Sequence, residues 1–433
     1  MSASSTASTA STAAAPIEAG AALPTLPSPA AEVHRFWAVA AFGALLVAIG
    51  LGAAHFMEVH GHAVTGMSNQ IVWGLPHVVA IFMIVAASGV LNVASVGSVF
   101  GQTVYKARAP LSGLLSLALL GGGLFVLMLD LGRPDRIVVA ATHYNFKSVF
   151  AWNVFLYSGL FAIVAVYLWT LMERRMNRYA KAAGFAAFIW RFVLTTGTGS
   201  IFAFLVARQA YASALLAPMF IVLSFAWGLA VFLIVQSAMY AWNGLVLPVA
   251  IQRRMTRLLG IFVAAAAYMV LVYHGTQLYA TKLHGFERFL LLDGGVYPLL
   301  FWLGYAGLGT LWPLTLLLAP SPLGVRGTVL AAALVVLGGF AFLYAFIIGG
   351  QAWPLDIFSG YTASSTFMDG QVDAYTPRLP EWLLGLGGLG LAFLVTAVGV
   401  RVLRFMPQDD FARFDPAAGQ PASTAAAADA RKG

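Results

Sequence analysis

Residues 129–157 read LDLGRPDRIVVAATHYNFKSVFAWNVFLY. The stretch gathers Asp130, Arg133, Asp135, Arg136, His143 and Lys147 around a Gly–Arg–Pro turn, between apolar runs at roughly 111–131 and 148–172. Each run is close to the ~20 residues a helix needs to cross a hydrocarbon core, and neither alternates every second residue as a barrel strand would. A charged hinge between two spanning helices decides the fold class, an all-α polytopic membrane protein. Charge at the rim of such a pair is costly unless it is paired, hydrated or used.

The rest of the chain repeats the pattern. Its 433 residues are 60% hydrophobic and 9% charged, where soluble domains carry about 25% charge. Ten spans are predicted, at roughly 36–57, 72–100, 111–131, 148–172, 184–206, 213–243, 257–280, 294–318, 327–349 and 381–404. The second and sixth exceed the crossing length and should tilt or project. The Ala/Ser/Thr/Pro tract at 1–32 and the segment 405–433 are expected to be disordered tails flanking a membrane domain over 33–404. No cleaved signal is expected, because the first apolar run is long enough to span and stay.

Charge sets the orientation. With the N-terminus inside, sixteen Lys and Arg fall on the inner side and seven on the outer, with Arg191 inside a span. Both termini are therefore expected in the cytoplasm, and 129–157 on the outer face. The net charge of +8 follows from this bias and does not imply nucleic-acid binding. Without cysteine there is no disulfide, cysteine-ligated iron–sulfur cluster or covalently attached haem. The histidines are also poorly placed for haem b, since no span carries two of them two turns or more apart, and no metal ligand set is expected. The longest outer loop, about 350–380 and rich in aromatics, is expected to be an ordered cap or docking surface.

Polar groups converge at the outer level. His77 follows Pro76 in the first turn of span two, with Trp73 one turn earlier. Asp130 ends span three, and Trp152, Asn153 and Tyr157 open span four. A neutral histidine can hydrogen-bond a quinone carbonyl and pass its proton. Tyr157 could donate to the same headgroup, and the Trp rings supply flat walls. Asp130 either accepts a quinol proton or merely balances Arg133 in a helix-end charge cluster. Deeper, Asn92 and Arg191 could line a proton path, or Arg191 could be a structural tie. GLPHVVAIFMIVAASG at 74–89 and LAPMFIVLSFAWGLA at 216–230 both start with proline in the first helical turn. They read either as parallel repeats, spans two to five (72–206) and six to nine (213–349), or as the common proline start of membrane helices.

DLGRPDR (130–136) with NFKSVFAWNVFLY (145–157) resembles the NrfD/PsrC family of integral-membrane quinone-reactive subunits. Residues 68–95, SNQIVWGLPHVVAIFMIVAASGVLNVAS, look most like its DsrP branch, from the Dsr membrane complex of sulfur metabolism. The resemblance covers roughly 36–404. It implies two four-helix bundles with two peripheral helices, a menaquinone or ubiquinone pocket at the outer face, and no cofactor of the chain's own. It also implies an extracytoplasmic ferredoxin-like iron–sulfur partner, further subunits of a respiratory complex, a bacterial cytoplasmic-membrane location and a capacity for proton translocation. By position, His77, Asp130, Arg133, Asn153 and Tyr157 match the family's motifs. Trp73 stands where the family carries a small polar residue, which leaves the second headgroup ligand open. A secondary transporter and a structural anchor are the competing readings. Transporter sites lie near the midplane, whereas the polar cluster here lies at one face.

Overall fold

The structure, a computed structural model, describes residues 29–99, 101, 103–243, 247–319, 324–355 and 370–403. Ten helices in it are long and apolar enough to cross a membrane, and there is no strand among the described residues. They are α1 (Pro29–His60), α2 (Leu75–Ser98), α3 (Ala109–Leu129), α4 (Val149–Met172) and α5 (Ala180–Ala203). There follow α6 (Leu216–Trp242), α7 (Val249–Tyr279), α8 (Val296–Leu317), α9 (Val325–Ala352) and α10 (Leu379–Leu403). The all-α polytopic reading holds.

Contacts close two rings of four, α2–α3–α4–α5 and α6–α7–α8–α9, while α1 and α10 pair with each other and lie against α3. The centre is α2, which touches α3, α5, α6 and α10 and is almost wholly buried. Small residues make that possible, because close backbone approach gives dispersion contacts where lipid offers no hydrophobic drive. At the α2–α6 crossing a Cβ on Gly89 would lie 1.7 Å from the Ser224 carbonyl oxygen. The two rings thus meet back to back with no room for a side chain.

Several boundaries move. The expected tails lie outside the described residues, except that 29–32 already belong to α1. Of the expected cap, 356–369 also lie outside. The start of α7 is at Val249 rather than about 257: Arg253, Arg254 and Arg257 lower hydropathy without interrupting the backbone hydrogen bonds. Much of α8, over Leu300–Leu311, is wound as a π-helix, as is Tyr344–Ile348 in α9. Hydropathy carries no signal for either.

Candidate functional site

The site forms where α2 begins. Gly74 is extended and Leu75–Pro76 enter the first turn, leaving N–H groups that need outside partners. Those partners come from far along the chain. The Leu75 N–H donates to the Tyr375 hydroxyl (2.7 Å). The N–H groups of Val72 and Trp73 both donate to Gln351 Oε1 at 3.0 Å, and Gln351 Nε2 returns a bond to the Trp73 carbonyl at 3.0 Å. Arg208 ties the arrangement by donating to the carbonyls of Gln351 (3.0 Å) and Gln70 (2.8 Å). Gln70 in turn donates to the Ala352 carbonyl at 2.9 Å. The fully buried Glu381 accepts from the Tyr375 hydroxyl and from the N–H groups of Gly66 and Arg378. Burial, then the bond to Glu381 and its charge, push the Tyr375 hydroxyl above its ordinary range. The described part of the 350–380 segment is therefore an ordered cap over α2.

Within this frame His77 Nδ1 lies 2.7 Å from Asp130 Oδ2, with the carboxylate essentially shut from solvent and the imidazole slightly open. The approach is close but poorly aligned, so neither carboxylate oxygen has a well-directed donor. Asp130 also terminates α3, where the negative end of the helix dipole opposes a second negative charge and favours a proton or a cation. The carboxylate is thus buried, short of donors and beside an imidazole. The Trp73 ring stacks on His77, with centroids 6.0 Å apart and planes at 24°, and meets Phe202 edge-on. On the other side, His62 Nε2 donates to the Asp130 carbonyl at 3.1 Å. Gly132 then turns the chain at φ +64°, and a Cβ there would lie 3.0 Å from the His62 ring.

The structure brings His77, Asp130 and Trp73 together. It does not join Arg133 to Asp130: Arg133 pairs with Asp135 at 3.4 Å, and both are largely exposed. Trp152 turns outward, about half exposed, with its indole donating to the Phe146 carbonyl. Asn153 is buried between α4 and α5 and donates to the Val149 (2.8 Å) and Gly197 (3.4 Å) carbonyls, while its Oδ1 has no donor. The Tyr157 hydroxyl is hydrogen-bonded to Thr198 of α5. Arg191 is buried with its guanidinium over the rings of Phe188, Phe192 and Phe225, at 5.0, 4.4 and 5.5 Å, and two of its nitrogens lack acceptors. Asn92 Nδ2 is likewise unpartnered, so no hydrogen bond connects it to Arg191. Ser95 and Ser98, which could have continued such a path, donate to carbonyls of their own helix.

Sequence reasoning missed Gln351, Arg208, Tyr375, Glu381 and His62. The available signal was weak: one glutamine ending an otherwise apolar span, and a carboxylate opening the last one.

Residues 63–354, which contain α2 to α9 and every candidate residue above, match the family described as Polysulphide reductase, NrfD. The chain belongs to the NrfD family. It is similar to the Hdr-like menaquinol oxidoreductase integral membrane subunit of Archaeoglobus fulgidus, 28% identical over 378 residues (86% of this chain, 94% of the relative). A second NrfD-like relative, from Halobacterium salinarum, is provisionally named as a membrane subunit of dimethyl sulfoxide reductase. It is 29% identical over 396 residues, 83% of this chain and 89% of its own. A selenate reductase subunit of Mesobacillus selenatarsenatis is 21% identical over 400 residues, covering 82% and 91%. No group of three or more metal-ligating side chains occurs among the described residues.

Proposed function

We propose that this NrfD-family chain is the membrane subunit of a multi-subunit redox complex that exchanges electrons with the quinone pool at the His77–Asp130 pair. The observation that carries the reading is the 2.7 Å contact between an imidazole and a shielded carboxylate with unmet lone pairs. A group in that state is suited to receive a hydroxyl proton. The relatives named for menaquinol, dimethyl sulfoxide and selenate chemistry support the reading at the level of the complex.

Oxidation of a quinol releases two electrons and two protons. His77 accepts the hydroxyl proton, Asp130 stabilises the imidazolium, and Trp73 supplies a flat wall for the ring. The electrons leave to an iron–sulfur partner on the same side; quinone reduction is the reverse. The Lys/Arg bias puts this face outside the cytoplasmic membrane, so the protons leave to the outer phase. Menaquinol is the favoured substrate, from the first relative's name. A role in sulfur metabolism rests on the DsrP-like sequence at 68–95.

The test is quinol-dependent reduction of the partner by the purified complex. His77→Ala should abolish it while the complex stays assembled. Unchanged rates would remove the pair from the site.

A further inference from the structure

The second ring holds another buried histidine–carboxylate pair, which the quinol reading leaves unused. His274 Nδ1 of α7 lies 2.9 Å from Glu287 Oε2, on the short helix His284–Arg288, and the carboxylate is completely buried. Glu287 Oε1 has no hydrogen-bond donor, and neither has the buried Gln209 Oε1 of the segment joining the rings. A tie between α7 and the following helix needs no charge, because glutamine would bond His274 equally well. A buried carboxylate with an unmet oxygen is costly, and groups held in that condition are candidates for proton chemistry. The flanking backbone is irregular too: Phe289–Asp293 is a π-turn, and Phe301, whose ring meets His274 edge-on at 4.9 Å, lies in the π-wound part of α8. Such distortions concentrate at functional sites.

We propose that His274 and Glu287 form a second proton-binding site, whose loading follows turnover at the His77–Asp130 pair; the coupling rests on the quinol reading, the proton binding does not. Loading forms one O–H bond on the Glu287 carboxylate with a proton from water, and no electron moves. The loaded pair has no net charge. Unloading leaves one buried negative charge, so the loaded form is the resting one. Tyr273, on the same helix, is the titratable neighbour close enough to sense Glu287. Phe301 presents only its ring edge, and Arg288 points outward to Asp293 (2.6 Å).

The two pairs are mechanically linked. The Tyr273 hydroxyl donates to the Ala210 carbonyl, and Gln277 to the Gln209 carbonyl and the Tyr273 hydroxyl. Two residues before Ala210, Arg208 grips Gln70 and Gln351, and Gln351 holds Trp73 against His77. A change at either pair bears on one shared segment.

The first experiment needs no quinol. Infrared difference spectra of the full chain across a pH titration should contain a carboxylic-acid carbonyl band that Glu287→Gln removes and His274→Gln shifts. Because Glu287→Gln keeps the hydrogen bond to His274, a folded variant with an unaltered spectrum would overturn proton binding. The second uses the assembled complex in vesicles with menaquinol. Glu287→Gln should leave electron transfer intact but remove the turnover-linked band and lower proton release per electron. Wild-type complex that does not oxidise quinol would sink the quinol reading and the coupling with it, leaving the first result to decide the site. Normal proton release by the variant would overturn the coupling alone.

Discussion

At the residue scale, Asp130 and Arg133 show how little sequence spacing says about partners. Three residues apart at a helix end, they look like a neutralising pair, yet Asp130 faces His77 and Arg133 faces Asp135 in water. An exposed pair of that kind contributes about 0–1 kcal/mol. Arg133→Ala should therefore leave quinol turnover within about fivefold of wild type, the rate equivalent of ~1 kcal/mol. Asp130→Asn and His77→Ala should each lower it by about 10²-fold or more, the range for loss of a positioned acid–base group. Steady-state rates on assembled complex distinguish the two classes, and equal losses in all three would discredit the assignment. Gly132 is a structural counterpart. Alanine there must hold φ +64° and press on the His62 ring, at a backbone cost of about 1–2 kcal/mol. A lowered melting temperature in detergent is the expected sign.

At the element scale, the start of α2 is a helix end satisfied by other helices rather than by its own cap. Gln351 of α9 does most of this, so Gln351→Leu leaves two N–H groups and a carbonyl of 72–73 unmet, each buried loss costing about 1–3 kcal/mol. The substituted complex should show a raised KM for quinol, because Trp73 and His77 are no longer held in register. Gln351→Glu, which keeps the acceptor but loses the donor, should fall between. A KM unchanged in both would mean that α2 carries its own geometry. The Tyr375–Glu381 tie adds a pH dependence. With the folded-state hydroxyl pushed above its ordinary value, mainly by burial, the stabilisation is complete below the unfolded value of about 10 and lost only as pH rises beyond it. The melting difference between wild type and Tyr375→Phe should accordingly stay constant from about pH 6 to pH 9.

For the whole molecule, two rings back to back with a peripheral pair place His77–Asp130 and His274–Glu287 in different rings, joined by the 204–215 segment. Orientation is the property most open to a direct check, because the chain has no cysteine and a single introduced thiol reports alone. An impermeant maleimide should label Asn145→Cys from outside intact cells, and Arg175→Cys only after the membrane is opened. The reverse pattern would invert the molecule and move the proposed proton release to the cytoplasm.

Hydropathy and charge determined by themselves that this is a ten-span helical membrane protein, because the bilayer imposes length and composition locally on each segment. The pairing of His77 with a carboxylate was half legible: both residues stood at one level, but helix rotation about its axis decides which neighbours meet, and that is set by packing. The turns of Trp152 outward and of Tyr157 towards Thr198 are the same effect. Gln351, Arg208 and Glu381 lie some 130 to 300 residues from the loop they hold, a separation over which local sequence carries no information. Only the tertiary structure could decide them, since a buried N–H group takes whichever acceptor the packed helices bring within reach.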